Sequence, residues 1–231
     1  SDIRLNKSLK FFNMNNNTRL AELDLSKNSI DYDTFYFLRS SLNLASLNLA
    51  DTNLTQSIFD KIINLNSFEK LTTLVLRSNN IQSISQNKFS KLASLFHLDF
   101  SYNNISFIEN LSFLKNEKLV QLNFSFNKIK SFKQDLFGTN LKGLLNLEYL
   151  DLKNNELVDF DFFYVKFNRN SQCLNLENNF FNSYPKGIIK SYSLQCLLMK
   201  QNRVRIIENH YFLSNPNFLH AIFSQNNISY I

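Results

Sequence analysis

The sequence holds few of the side chains that perform enzymatic chemistry. Its 231 residues include 3 His, 2 Cys and 3 Gly. Gly138 and Gly143 have the separation of a phosphate-binding loop, but Leu144 follows where that loop carries Lys and then Ser or Thr. Neither a Gly-x-Ser-x-Gly nor a His-Glu-x-x-His motif occurs in the chain. We therefore predict a protein that is not an enzyme, with no catalytic residue, no metal site and no cofactor.

Leu and Asn recur at fixed spacing along the chain. The sequence contains 37 Leu and 36 Asn, and it matches the template Leu-x-x-Leu-x-Leu-x-x-Asn-x-Leu nine times. The copies start at Leu20, Leu44, Leu71, Leu95, Leu119, Leu147, Ser171, Leu194 and Phe218. Positions 1, 4, 6 and 11 of these copies are apolar in 35 of 36 cases, and Ser171 is the exception. Such self-similarity is typical of a repeat protein whose units share one core.

Each copy predicts one short strand. Positions 3 to 7 alternate between polar and apolar, so the side chains at positions 4 and 6 should point inward. A second apolar column lies 18 residues after each start, at Leu38, Ile62, Phe89, Phe113, Phe137, Val165 and Phe212. The insert after the second copy predicts a short helix that begins with Ser57 as its cap and Asp60 three residues later. Stacked copies would bury these columns in one continuous core.

The nine copies resemble the leucine-rich repeat family, in its typical 24-residue subclass, and a segment of a Toll-like-receptor-type ectodomain. The resemblance implies an α/β solenoid shaped like a horseshoe. Its concave face is a parallel sheet of about nine short strands. Its convex side is made of coil, 3-10 turns and a short helix around a phenylalanine column. Residues 1–231 then form a single solenoid fragment that begins with a partial repeat at 1–19 and lacks both caps.

Position 9 carries a side chain that can satisfy buried backbone groups. In the family this residue points inward, where its amide can both donate and accept hydrogen bonds. The column consists of Asn28, Thr52, Asn79, Asn103, Asn127, Asn155, Asn179, Asn202 and Asn226. We expect it to form an asparagine ladder that pairs the turn of one repeat with the coil of the next.

The predicted concave positions suggest where a ligand could bind. They hold 7 acidic and 4 basic residues on a chain whose net charge is +6, which disfavours nucleic acid on this face. Aromatic side chains cluster near its middle beside charged ones, as in protein interfaces. The candidate ligand-binding residues are Arg77, His97, Asp99, Tyr102, Phe126, Tyr149 and Asp151. The alternative is that these aromatics only follow the 14% aromatic content of the chain.

Cys173 and Cys196 both occupy position 3, in adjacent copies. Neighbouring strands would bring their Cα atoms within disulfide range, but directly adjacent parallel strands are an awkward geometry for the bond. We therefore favour free thiols over a disulfide here. His97 and His220 share the same position five strands apart, so they should not share a metal ion.

The sequence contains seven glycosylation motifs, which are typical of extracellular proteins. Its Asn-x-Ser/Thr sites are Asn6, Asn16, Asn53, Asn104, Asn110, Asn123 and Asn227, close to the number that this composition produces by chance. The receptor resemblance favours the extracellular side of a membrane protein, or secretion, and no membrane contact by this fragment itself. The first hypothesis is a binding module for a protein or microbial polymer, with a receptor dimer allowed. The alternative is a cytoplasmic scaffold of the same fold.

Overall fold

The fold is seen in a computed structural model that describes residues 19–30, 38, 42–65, 68–131, 146–159, 172–185, 194–208, 212 and 217–230. Its main element is a parallel sheet with one strand from each of the nine repeats. In sheet order the strands are β1 (Glu22–Asp24), β2 (Ser46–Asn48), β3 (Thr73–Val75), β5 (His97–Asp99), β7 (Gln121–Asn123), β8 (Tyr149–Asp151), β9 (Gln172–Asn175), β10 (Leu194–Leu198) and β11 (His220–Ile222). Leu74 pairs with Leu98 and Leu98 with Leu122, so position 4 stays in register from repeat to repeat. The predicted solenoid with its parallel sheet is confirmed.

The convex side carries a short helix and a second, smaller sheet. Helix α1 spans Gln56–Ile63 and buries Phe59, Ile62 and Ile63. Its cap is Thr55, whose hydroxyl accepts the backbone N–H of Ile58 at 3.5 Å, so the prediction of a cap at Ser57 is wrong by two residues. Strands β4 (Ser83–Ile84) and β6 (Phe107–Ile108) form a parallel pair in the coils of the third and fourth repeats. No helix in the described part of the chain is long and apolar enough to cross a membrane.

The core lies between the sheet and the convex coil. Leu38, Ile62, Phe89 and Phe113 of the predicted second column are buried, whereas Phe212 remains 37% exposed although its ring lies 6.3 Å from that of Tyr184. Phe137 and Val165 lie outside the described residues.

Two stacked phenylalanine pairs fill the middle of this core. The rings of Phe89 and Phe113 stack at 5.1 Å, and those of Phe100 and Phe124 stack at 5.4 Å. Phe59 contacts both pairs through Phe89 and Phe100. The aromatic core is therefore wider than the sequence predicted, because strand position 6 contributes rings as well as the convex column.

Position 9 forms a continuous set of hydrogen bonds between repeats. The Nδ2 group of Asn103 donates to the carbonyl oxygen of Phe100 in its own repeat at 3.0 Å and to that of Leu76 in the preceding repeat at 2.9 Å. Its Oδ1 accepts the backbone N–H of Ile81, at position 11 of the preceding repeat, at 3.0 Å. Asn79, Asn127, Asn155, Asn179, Asn202 and Asn226 repeat this arrangement. Asn28 donates to the carbonyls of Leu25 and Ser26.

Position 8 adopts the left-handed backbone conformation in all nine repeats. The residues are Lys27, Asp51, Ser78, Tyr102, Phe126, Asn154, Asn178, Gln201 and Gln225, with φ between 51° and 58°. None of them is glycine, the residue that takes this conformation without steric cost. Hydrogen bonds between repeats hold the turn: the N–H of Tyr102 donates to the carbonyl of Ser125, and that of Phe126 to the carbonyl of Lys153. The stacking of repeats therefore imposes a left-handed conformation that the residue types at position 8 do not predict.

Candidate binding face

A row of Asp and Asn side chains at position 5 caps the carboxyl ends of the strands. The Oδ1 of Asp99 accepts the backbone N–H of Ser101 at 2.8 Å, and that of Asp151 accepts the N–H of Lys153 at 2.9 Å. Asp24, Asn48, Asn123 and Asn175 make the same bond two residues on. Side chains of this type favour such local turns. Asp99 and Asp151 therefore have a structural role in addition to their place on the candidate face.

Asp and Asn alternate along this row where it is unbroken. Asp99, Asn123, Asp151 and Asn175 follow one another in register across β5, β7, β8 and β9. Adjacent like charges destabilise neighbouring strands, and an intervening amide separates two carboxylates that would otherwise meet. At the start of the sheet, the amide of Asn48 donates to Asp24 at 2.9 Å. Sequence reasoning missed this alternation, although it could be detected by comparing position 5 between repeats.

Three of the candidate residues form one stack, which we call the Tyr102 stack: Arg77, Tyr102 and Phe126. The rings of Tyr102 and Phe126 lie 4.1 Å apart and are nearly parallel, at 9°. The guanidinium carbon of Arg77 lies over the Tyr102 ring, 4.7 Å from its centre. Arg77 is exposed, Tyr102 is 42% exposed and Phe126 is half-buried. A cation over a tyrosine face and two parallel rings are each favourable contacts.

A second group of candidate residues lies on the neighbouring strand. The Tyr149 hydroxyl donates to Asp151 at 3.1 Å, and Lys153 forms an ion pair with Glu177 at 2.8 Å. Burial raises the pKa of Asp151 above its ordinary value, against the N–H of Lys153, which acts to lower it. Burial and the adjacent Asp151 charge raise the pKa of Tyr149. Sequence reasoning did not select Lys153 or Glu177, because their pairing depends on the alignment of two repeats.

His97 stands apart from both groups. Its Nδ1 lies 2.9 Å from the Oε1 of Gln121, its register partner on β7, and the ring is exposed. Within the described ranges, no cluster of three His, Cys, Asp or Glu side chains could hold a metal ion. The structure thus divides the seven candidate residues into the Tyr102 stack, the Tyr149–Asp151 pair, and His97 and Asp99 with their own partners.

Cys173 and Cys196 form a disulfide, and the expectation of free thiols is wrong. The two residues are register partners on β9 and β10, with Cα atoms 4.3 Å apart. The pairing register shifts between Leu194 and Cys196, which the regular spacing of ideal strands did not anticipate. The bond ties two adjacent repeats together on the face that carries the candidate residues.

The glycosylation motifs have different surroundings. Asn53 and Asn227 are exposed, whereas Asn104 and Asn110 are half-buried. Asn123 is half-buried within β7, and its Oδ1 accepts the N–H of Ser125 at 2.9 Å. Asn6 and Asn16 lie outside the described residues.

Comparison with known proteins agrees with this geometry. A model of the leucine-rich repeat matches residues 69–129, which contain the two stacked phenylalanine pairs of the core. These residues belong to the leucine-rich repeat family. No curated protein sequence matches it significantly, so the fold comparison rests on solved structures.

Solved structures of other leucine-rich repeat proteins share the fold. A chain of the TLR13–ssRNA13 complex superposes with a TM-score of 0.71 at 21% identity, over 93% of this chain and 34% of that one. A chain of the LRIM1/APL1C complex gives 0.67 at 19% identity, over 90% and 35%. The ectodomain of the membrane receptor kinase GASSHO1/SCHENGEN3 from Arabidopsis thaliana, in complex with CASPARIAN STRIP INTEGRITY FACTOR 2, gives 0.59 at 21% identity, over 93% and 28%. The chain spans about a third of the length of each of these structures.

Proposed function

We propose that this protein is a non-catalytic binding module of an extracellular, receptor-like leucine-rich repeat protein, and that it binds a protein or microbial polymer on its concave sheet. The observation that carries the proposal is the accessibility of that sheet. Outward-facing side chains from β3 to β8, among them Arg77, His97 and Tyr149, stay exposed or half-exposed. The inward-facing leucines beside them are buried, so a rigid core supports an open surface.

The extracellular location is supported by the disulfide and by the exposed glycosylation motifs. Disulfides persist in secreted proteins and are rare in the cytosol, where thiols are kept reduced. Cys173 and Cys196 are bonded, and Asn53 and Asn227 are exposed. The membrane receptor kinase among the solved structures carries its leucine-rich repeats in an ectodomain. A cytoplasmic scaffold is the competing proposal, and reduced cysteines with unmodified motifs in the native source would favour it.

The chemistry of the face favours a protein over a nucleic acid. Nucleic-acid binding needs an excess of Lys and Arg, whereas the concave positions hold 7 acidic and 4 basic residues. One of the structurally similar chains comes from a complex with single-stranded RNA, so this preference has to be tested directly.

Two glycan-bearing variants test the proposed face. Gln121→Asn with Asn123→Thr moves a glycosylation motif to an exposed strand position in the middle of the sheet. Lys115→Asn with Glu117→Thr creates a matched motif on exposed coil. Both variants and the parent protein, secreted from the same cells, are applied to an array of purified extracellular proteins and microbial polymers. We expect binding that the sheet glycan abolishes and the coil glycan preserves. Binding that only the coil glycan abolishes, or no binding at all, contradicts the proposal.

A further inference from the structure

We infer that the Tyr102 stack is the contact point for a basic protein segment that carries apolar side chains. The inference rests on the proposed function of the concave sheet and names the partner chemistry of one place on it. Arg77, Tyr102 and Phe126 come from three successive repeats and stand at the carboxyl ends of β3, β5 and β7.

Tyr and Phe are unfavourable residue types for the left-handed backbone conformation at position 8. Tyr102 and Phe126 have φ of 56° and 57°, a conformation in which bulky side chains are rare and Asn is common. The next two repeats carry Asn154 and Asn178 at the same position, with φ of 55° and 51°. The left-handed turn itself belongs to every repeat and indicates no function. Two adjacent aromatic residues at this position oppose the preference of the turn, and Tyr102 remains 42% exposed and Phe126 half-buried, which points to selection for contact.

Tyr102 presents its ring edges, because Arg77 and Phe126 lie against its ring. Arg77 covers one face of Tyr102 at 4.7 Å, and Phe126 stacks on it at 4.1 Å. Single-stranded nucleic acids bind aromatic residues by stacking bases on free ring faces. Ring edges instead suit apolar side chains and the faces of a partner's aromatic rings.

The charges around the stack favour a basic partner. Its nearby cations are engaged, since Arg77 lies on Tyr102 and Lys153 pairs with Glu177. Asp51 and Asp99 have no ion pair within the described residues. Asp99 accepts the N–H of Ser101, the residue next to Tyr102, so its charge lies close to the backbone from which the stack projects. A basic segment would complement these carboxylates while its apolar side chains cover the ring edges.

The probe is a short fluorescent peptide of alternating Lys and Leu, and binding is followed by anisotropy on the complete protein. Peptides of alternating Glu and Leu and of alternating Lys and Ser separate the charge from the apolar contact. A short oligouridylate represents single-stranded nucleic acid. We expect the Lys–Leu peptide to bind most tightly and to weaken as salt rises, because exposed charges are screened.

Two variants decide whether the stack is the contact. In the double variant Tyr102→Asn with Phe126→Asn, we expect the affinity for the Lys–Leu peptide to fall by a factor of about ten or more. The melting temperature should stay the same or rise, because Asn suits the left-handed turn. The matched control is Phe180→Asn, which removes another exposed ring that does not belong to the stack. The Phe180 ring is 38% exposed, and the guanidinium carbon of Arg203 lies 4.5 Å from its centre. It should leave peptide binding unchanged.

Three outcomes would overturn the inference: equal peptide binding by the double variant and the parent protein, tighter binding of the oligouridylate, or equal binding of the Lys–Ser and Lys–Leu peptides. The array experiment separates this failure from that of the proposed function. A partner whose binding is blocked by the sheet glycan but unchanged by Tyr102→Asn with Phe126→Asn would support binding on the concave sheet. The same result would contradict the assignment of the Tyr102 stack as the contact point.

Discussion

Thr52 donates both its backbone N–H and its hydroxyl to the side-chain oxygen of Asn79, at 3.2 Å and 3.0 Å. The same oxygen accepts the N–H of Leu54 at 2.8 Å. The hydroxyl also lies 2.8 Å from the carbonyl oxygen of Leu49. Asn79 accepts the Leu54 N–H in the same way as the other ladder amides accept position 11 of the preceding repeat. The N–H of Ile30, which an amide at position 52 would accept, instead donates to the backbone carbonyl of Thr52 at 3.2 Å. A threonine can therefore replace asparagine at this position.

The asparagine ladder should contribute strongly to stability. Asn127→Leu would leave the buried N–H of Ile105 without a partner. It would also remove one of the two amide hydrogen bonds at the carbonyl oxygens of Phe100 and Phe124, which would keep only those from Asn103 and Asn155. Unpaired buried groups are expensive, so we expect the free energy of unfolding to fall by about 2–4 kcal/mol. Urea unfolding followed by circular dichroism measures the change.

Thr52→Val is the control for this variant. It keeps the shape and the backbone N–H and removes one hydroxyl, so the expected loss is about 1 kcal/mol. Equal losses for the two variants would mean that the ladder has no special importance.

Asp151 should make the protein less stable at neutral pH than in mild acid. Because burial raises its pKa, the folded protein holds this proton to a higher pH than the unfolded chain does. Above the raised pKa, the charged carboxylate therefore lowers the stability of the folded protein. This destabilisation disappears as the pH falls through the raised pKa. Asp151→Asn should match or exceed the parent protein's stability at pH 7, since an amide oxygen can still accept the N–H of Lys153. The difference should vanish in acid.

Asp24 predicts the opposite sign. Its pKa is lowered, mainly by the hydrogen bond with Ser26, so its charge stabilises the fold above the ordinary pKa of 3.8, and this contribution is lost as pH falls through the lowered value. Asp24→Asn should therefore be less stable than the parent protein at pH 7. Thermal melts of Asp151→Asn, Asp24→Asn and the parent protein between neutral pH and acid test both predictions. If both substitutions changed stability at pH 7 in the same direction, the opposite roles of the two carboxylates would be refuted.

The disulfide should be intact in secreted protein and should stabilise it. Cys173 and Cys196 are 23 residues apart in sequence, and closing a loop of that length is worth about 3 kcal/mol when the unfolded chain is constrained. Cys173→Ser with Cys196→Ser, or a reductant, should lower the melting temperature. Titration of thiols in denatured, unreduced protein should find none, and two titratable thiols would count against the bond.

Glycan attachment should follow exposure. In protein secreted from a glycosylating host, we expect carbohydrate on Asn53 and Asn227, which are exposed, and none on Asn123, which is half-buried within β7. Mass spectrometry of glycopeptides measures the occupancy of each site. Carbohydrate on Asn123 would block the middle of the sheet and argue against the concave face as the binding surface.

The fold could be predicted because its information is local and repeated. Within each copy, the alternation around residues such as Leu98 and Leu122 sets which side chains face inward, and nine copies in register leave one arrangement that buries them all. The helix cap was misplaced at Ser57 because the side chains of Thr55 and Ser57 can both accept a capping bond, and in the structure Thr55 does so.

The candidate site was predicted only as a set of residues on one face. Selecting Arg77, Tyr102 and Phe126 followed from composition and position, but their stacking depends on side-chain directions set by the left-handed turns. The cysteine pair shows the same limit, since the repeat spacing placed Cys173 and Cys196 side by side but did not decide whether their sulfur atoms are bonded.

The sequence by itself determined the nine-repeat register, the inward leucines, the position of the asparagine ladder and the lack of enzymatic motifs, because each depends on spacing along the chain. The tertiary structure alone decided the Tyr102 stack, the alternating Asp and Asn row, the Lys153–Glu177 ion pair and the disulfide. These depend on how residues more than 20 positions apart meet across neighbouring strands. The energies of hydrogen bonds and ring contacts change strongly over a fraction of an ångström. The periodicity of the sequence does not specify distances between side chains with that precision.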